Sequence, residues 1–148
     1  MSVDSRVSKD LVETLQDGRK GFSDAAERLT DSDRAEWATT LRRFADQRAQ
    51  FATELEQLGA AYGDDVEDDG SVAAKAHRGW MALKDALTGS KPDGVIDACV
   101  SGEDHAVSEY EGALGQDLSE GLRTVVQRQL GEIQAARAEL KGLQVATD

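Results

Sequence analysis

Apolar residues recur at steps of three and four along almost the whole chain, which is the period of helix faces packed on one another. The 148 residues include one proline and show no sustained alternation of apolar and polar residues, so a β fold is not expected. The pattern predicts helices over about 8–29, 33–62, 71–88, 92–115 and 119–146. The chain is therefore predicted to form a single all-α domain over residues 1–148.

Several residues at the predicted helix ends have the chemistry of helix caps. Ser8 and Asp33 can accept hydrogen bonds from the first free amides of the first two helices. Pro92 suits the first turn of a helix, where its missing N–H costs nothing. Gly115 is a residue type that commonly follows the last turn.

The lengths of the connections predict the topology. Short connections join the first long helix to the second and the third to the fourth, so each pair is expected to form an antiparallel hairpin. Nearly thirty residues, with the shorter helix 71–88 among them, separate the two hairpins. A connection of this kind suits a ferritin-like four-helix bundle with an extra helix in the long crossover.

The charge balance narrows the range of partners. The chain has 29 acidic and 17 basic side chains, a formal net charge of −12, which disfavours nucleic acid as a partner. The longest apolar run, Trp80 to Leu83, is far too short to span a bilayer, and the first residues have no apolar leader. A lone Cys99 excludes an intramolecular disulfide. We expect an acidic cytoplasmic protein that binds neither nucleic acid nor membrane.

Three polar residues interrupt the apolar seams near the middle of their helices, namely Arg48, Glu103 and Gln129. The first helix has Gly18 at the matching level, with Asp17 beside it. If the helices are in simple register, these positions share one polar core layer. Arg48 and Glu103 are then expected to form a buried ion pair, with Gln129 and Asp17 accepting the remaining hydrogen bonds. The alternative is that these side chains extend out of the seam into solvent.

A ferritin-type di-iron site would occupy this same layer. It needs a Glu from each of two helices and Glu-x-x-His from each of the other two, and no Glu-x-x-His occurs where the motif would be needed. The only histidines, His77 and His105, are on other helices, and Arg48 adds a permanent positive charge. No cofactor, metal site or catalytic residue is therefore predicted. The alternative is an atypical metal site made of Asp17, Glu103 and Glu132.

Four segments carry a family resemblance, and they read LVETLQDGRKGFSDAAERL, RRFADQRAQFATEL, SVAAKAHRGWMALKDALTG and SGEDHAVSEYEGAL. Together they resemble an uncharacterised bacterial family of ferritin-like four-helix-bundle proteins, classed by a domain of unknown function. The resemblance runs from about Asp10 to Leu143 and implies the ferritin-like fold, but no established activity. A more distant similarity is to rubrerythrin, because Gly102-Glu103-Asp104 is similar to a Gly-Glu-Asn segment there. That similarity implies Glu103 as a retained metal ligand and Asp17 as a shortened one.

Other candidate sites have simpler explanations. Asp65 to Gly70 resembles the opening of a calcium-binding loop, but Ala76 stands where the bidentate Glu is required, so a solvated linker is expected. His77 and Trp80 share a helix face that is expected to pack on the bundle. Cys99 is expected to be a small buried apolar residue.

The pattern as a whole favours a non-catalytic bundle that acts through protein–protein contacts, with a partner that the sequence does not identify. Analogy with ferritin-like relatives suggests a role in a bacterial stress or envelope response. The alternatives are a metal-binding or redox protein with a degenerate di-iron-type site, and a homodimeric scaffold.

Overall fold

The computed structural model describes residues 2–61 and 92–145, and all regular secondary structure in these two stretches is helical. It consists of four helices: α1 (Val3–Leu29), α2 (Ala35–Ala61), α3 (Pro92–Leu114) and α4 (Glu120–Val145). The all-α prediction is confirmed for these residues. None of the four helices is long and apolar enough to cross a membrane. The predicted helix 71–88 lies outside the described residues.

The helix ends differ from the prediction mainly at α1. This helix begins five residues before Ser8, and Ser2 is its N-cap, because the Ser2 Oγ accepts a hydrogen bond from the Ser5 amide at 3.0 Å. Ser8 instead lies within the helix and is buried. The earlier start places Val7 in the core, which extends the apolar face of α1 by a turn. At the start of α3, Pro92 is the first helical residue.

The four helices pack around a core made of two apolar clusters. The first cluster gathers the ends of α1 and α4 with the starts of α2 and α3, and it includes Leu29, Trp37, Val95 and Leu140. The second gathers the opposite ends, and it includes Val7, Leu55, Ala113 and Leu122. Helices α1 and α4 therefore run one way, and α2 and α3 run the other way.

This arrangement places the end of α2 and the start of α3 at opposite ends of the molecule. A helix of 27 residues such as α2 is about 40 Å long. The two hairpins, α1–α2 and α3–α4, are thus antiparallel pairs, while α2 and α3 run parallel to each other.

Candidate functional site

A buried polar pair separates the two halves of the core. On α2, Arg48 follows Ala45 of the first apolar cluster and precedes Phe51 of the second. On α3, Glu103 has the same position between Val100 and Ala106. Both side chains are almost completely inaccessible to solvent, with Arg48 at 1% and Glu103 at 0% exposure.

The geometry of this pair is bidentate. Arg48 Nη1 donates to Glu103 Oε1 at 2.5 Å, and Arg48 Nη2 donates to Glu103 Oε2 at 2.6 Å. The third guanidinium nitrogen, Nε, donates to Gln47 Oε1 at 3.2 Å. Each nitrogen of the guanidinium therefore has an acceptor, which is the condition under which a buried arginine is tolerated.

Helix α1 makes room for the guanidinium. Gly18 faces the Arg48 side chain, and a Cβ at Gly18 would lie 3.5 Å from Arg48 Cγ and 3.6 Å from Nη1. One turn further along α1, the Phe22 ring centre is 5.2 Å from the guanidinium carbon, which is within cation–π range. Three side chains, those of Glu103, Gln47 and Phe22, thus surround the guanidinium, and the backbone of Gly18 leaves room for it.

Gln129 belongs to a second polar group, located among the residues of the second apolar cluster. Its Oε1 accepts a hydrogen bond from the Tyr110 hydroxyl at 2.7 Å. Its Nε2 donates to Glu54 Oε1 at 2.8 Å, and Glu54 in turn accepts a hydrogen bond from Arg128 at the surface. The single polar layer expected from simple register is therefore divided into two groups, because α4 crosses the cluster boundary between Ile133 and Ala136.

Sequence reasoning missed the partners of these residues. Gln47, Glu54 and Tyr110 were not singled out, although a tyrosine on an apolar seam needs a hydrogen-bond partner for its hydroxyl. Tyr110 is 0% exposed, and Gln129 provides that partner. The need for a partner is thus the one signal in the sequence that indicated a second polar contact.

Burial keeps two titratable side chains of this region neutral. Burial raises the pKa of the Cys99 thiol, and the nearby Glu103 carboxylate raises that pKa further. Burial likewise raises the pKa of the Tyr110 hydroxyl well above its usual range. The thiolate is the reactive form of cysteine, so Cys99 is a packing residue and not a nucleophile.

The residues of this site do not fit a di-metal centre. Within the described stretches, no group of three or more His, Cys, Asp or Glu side chains is arranged to hold a metal ion. Glu103 is bonded to Arg48 in the core, whereas Glu132 is on the surface, 49% exposed and bonded to Arg128. Asp17 is buried on α1, beside Gly18. The guanidinium would repel metal cations placed in this layer.

The remaining candidate residues are peripheral or outside the described stretches. His105 is partly exposed on α3, with its Nε2 3.9 Å from Glu109 Oε1. His77, Trp80 and the acidic segment Asp65 to Gly70 lie outside the described residues.

Over residues 2–61 and 92–145, the structure thus defines a helical protein whose core is divided by a buried arginine–glutamate pair. The chain belongs to the family of the domain of unknown function DUF2383, whose model matches residues 5–116. The match covers about three-quarters of the chain and includes most of α1 and all of α2 and α3, with both members of the pair. No curated protein matches the chain.

Proposed function

We propose that this protein is a non-catalytic ferritin-like four-helix bundle that acts through contacts with other protein chains. The helix directions support the ferritin-like assignment, since α2 and α3 run parallel and the chain joins opposite ends of the molecule between them. That connectivity is the one found in ferritin-like folds, where one long crossover links two antiparallel hairpins.

The observation that carries the proposal is the bidentate pair between Arg48 and Glu103 at the centre of the molecule. In a di-iron bundle, metal cations balance the carboxylates that face the core. Here the guanidinium balances Glu103, and it is a cation attached to the chain that cannot exchange with solution. Glu103 is therefore balanced without a metal ion, which supports a bundle that is not built around a di-iron centre.

The surface of the described residues also suits a protein that binds other proteins reversibly. Its charged side chains form several exposed ion pairs between helices, and the one large apolar residue that is strongly exposed there is Val145. Partners are then recognised through polar contacts. By analogy with ferritin-like relatives, we place this binding role in a bacterial stress or envelope response.

Metal analysis of purified protein tests the proposal. The protein is expressed in iron-replete medium without an affinity tag that binds metal, and iron, manganese and zinc are measured per chain by mass spectrometry. We expect far less than one metal ion per chain and no ligand-to-metal absorption band. Near-stoichiometric iron with such a band would establish a metal-binding or redox protein and overturn the proposal.

A further inference from the structure

The two hairpins of the molecule repeat each other with a fixed offset. Leu114, which ends α3, lies 85 residues after Leu29, which ends α1. Glu120, which begins α4, lies 85 residues after Ala35, which begins α2. The two hairpin connections are therefore equal in length, and positions 35–60 of α2 have counterparts in α4.

The ion pairs between α2 and α4 obey this offset. Arg43 on α2 is bonded to Glu139 on α4, and Glu54 on α2 is bonded to Arg128 on α4. Residue 128 is the counterpart of residue 43, and residue 139 is the counterpart of residue 54, so each pair is the image of the other. An approximate two-fold axis therefore passes between α2 and α4, midway between the two ion pairs.

These four side chains form the corners of a face with alternating charge. Arg43 and Glu54 are eleven residues apart, which is close to three helical turns and about 16 Å, so they share one side of α2. All four side chains remain between 40% and 61% exposed. Between α2 and α4 runs a groove with open clefts of about 620 Å³ and 520 Å³, which Phe51, Gln50 and Glu132 line in common.

A face with this charge pattern is complementary to itself. If a second copy is turned about a two-fold axis that lies in the face, each positive corner comes to lie over a negative corner. This holds for an axis parallel to the helices and for one perpendicular to them. The rise per residue of the helices gives the position of two further acids of the groove, Asp46 and Glu132. In the dimer these acids lie opposite uncharged residues of the second copy, such as Ala136 and Gln50.

The dimensions of the face also match a protein interface. Two helices about 40 Å long and about 10 Å apart present roughly 800 Å². A standard protein–protein interface buries about 800 Å² on each partner. Because the corners are already paired within the chain, the contact is expected to be reversible and not obligate.

We propose that the face formed by α2 and α4 is the contact surface for a second copy of this chain, which gives an isologous homodimer. This inference rests on the proposed function, because it names the partner that the binding role requires. It differs from that proposal in its test, since metal content and self-association are measured separately.

Charge reversal at the corners of the face tests the homodimer. An acidic variant carries Arg43→Glu and Arg128→Glu, and a basic variant carries Glu54→Lys and Glu139→Lys. Each removes the complementarity of the face with itself, but the two variants are complementary to each other. Sedimentation equilibrium measures association of each protein and of their equimolar mixture, after circular dichroism has shown that both variants are folded.

We expect the wild type to form dimers as its concentration rises. Each variant should self-associate at least about tenfold more weakly than the wild type, and the equimolar mixture should restore the dimer. The control variant, Arg19→Glu with Arg137→Glu, changes the net charge as the acidic variant does but alters no residue of the face, and it should associate like the wild type. A wild type that is monomeric up to about 1 mM overturns the homodimer. Variants that associate as tightly as the wild type, or a mixture that forms no dimer, also overturn it.

A monomeric protein without metal would leave the proposed function standing and remove only the homodimer. A protein that dimerises through this face but contains stoichiometric iron would support the homodimer and overturn the proposed function.

Discussion

At the scale of single residues, the molecule separates groups that must stay charged from groups that must stay neutral. Arg48 and Glu103 form a buried bidentate pair, and each is satisfied mainly by the other. Cys99 is one turn from Glu103 on the same helix, where a second negative charge would be repelled and would not be hydrated. The thiol therefore stays protonated beside the ion pair.

The raised pKa of the Cys99 thiol in the folded protein predicts how the free energy of unfolding depends on pH. The pKa of the thiol is raised on folding, so above about pH 8.5 the unfolded chain loses a proton that the folded chain keeps. The stability of the wild type should therefore fall with rising pH, by up to about 1.4 kcal/mol per pH unit, relative to Cys99→Ala. Urea unfolding of both proteins between pH 7 and pH 10.5 measures the difference. A difference in stability that is constant over this range would show that the thiol is not buried.

Sequence reasoning reached Arg48 and Glu103 because they interrupt otherwise apolar seams. It did not identify Gln47, which accepts a hydrogen bond from the Arg48 Nε, because neighbouring residues on a helix usually face different directions. It also placed Gln129 at the level of Arg48, although the two are held in separate groups. The relative height of helices depends on packing at every contact between them, and spacing within one helix does not contain that information.

At the scale of helices, one end of the molecule is held together by hydrogen bonds between the ends of different helices. Asp4 in the first turn of α1 accepts a hydrogen bond from the Ser119 amide at 2.9 Å, just before α4 begins. Arg123 on α4 donates to the carbonyl oxygens of Leu114 and Gln116, at the end of α3. The start of α1 thus helps to cap α4, and α4 helps to cap α3.

The contact from Asp4 predicts a local effect on α4. In Asp4→Ala, the Ser119 amide loses its acceptor, and the first turn of α4 should be destabilised by about 1 kcal/mol. Amide hydrogens over residues 119–123 should then exchange about fivefold faster with deuterium. Asp24→Ala is the matched control, because Asp24 is an exposed aspartate near the opposite end of the same helix. Equal exchange rates in both variants would contradict the capping role.

The existence of the four long helices was predictable, because their apolar residues repeat with helical spacing over more than twenty residues each. The position at which α1 begins was not predictable, because Ser2 and Ser8 are equally good N-cap residues by residue type. Only packing distinguishes the two, by placing Val7 in the core and therefore within the helix. Helix ends depend on such tertiary contacts more than helix interiors do.

At the scale of the whole molecule, the ion pair lies where the two halves of the core meet, so it affects both halves at once. The pattern of the sequence predicted an all-α chain, and the structure confirms it for the described residues. The approximate repeat of the two hairpins rests on equal helix offsets and on the counterparts Arg43 and Arg128 and Glu54 and Glu139, which are recognisable only once the contacts between α2 and α4 are known. Arg48 and Glu103 break this repeat, since their counterparts at an offset of 85 are Ile133 and Gly18.

A double-mutant cycle on the pair tests the central claim, which is that a buried arginine–glutamate pair occupies the centre of this bundle. Urea unfolding is measured for the wild type, Arg48→Met, Glu103→Leu and the variant with both substitutions. Each single substitution leaves one buried charge without its partner, so each should lower the free energy of unfolding by about 3–5 kcal/mol. The double variant should lose much less, because two apolar side chains replace the pair together. Single and double variants that are all as stable as the wild type would contradict the account.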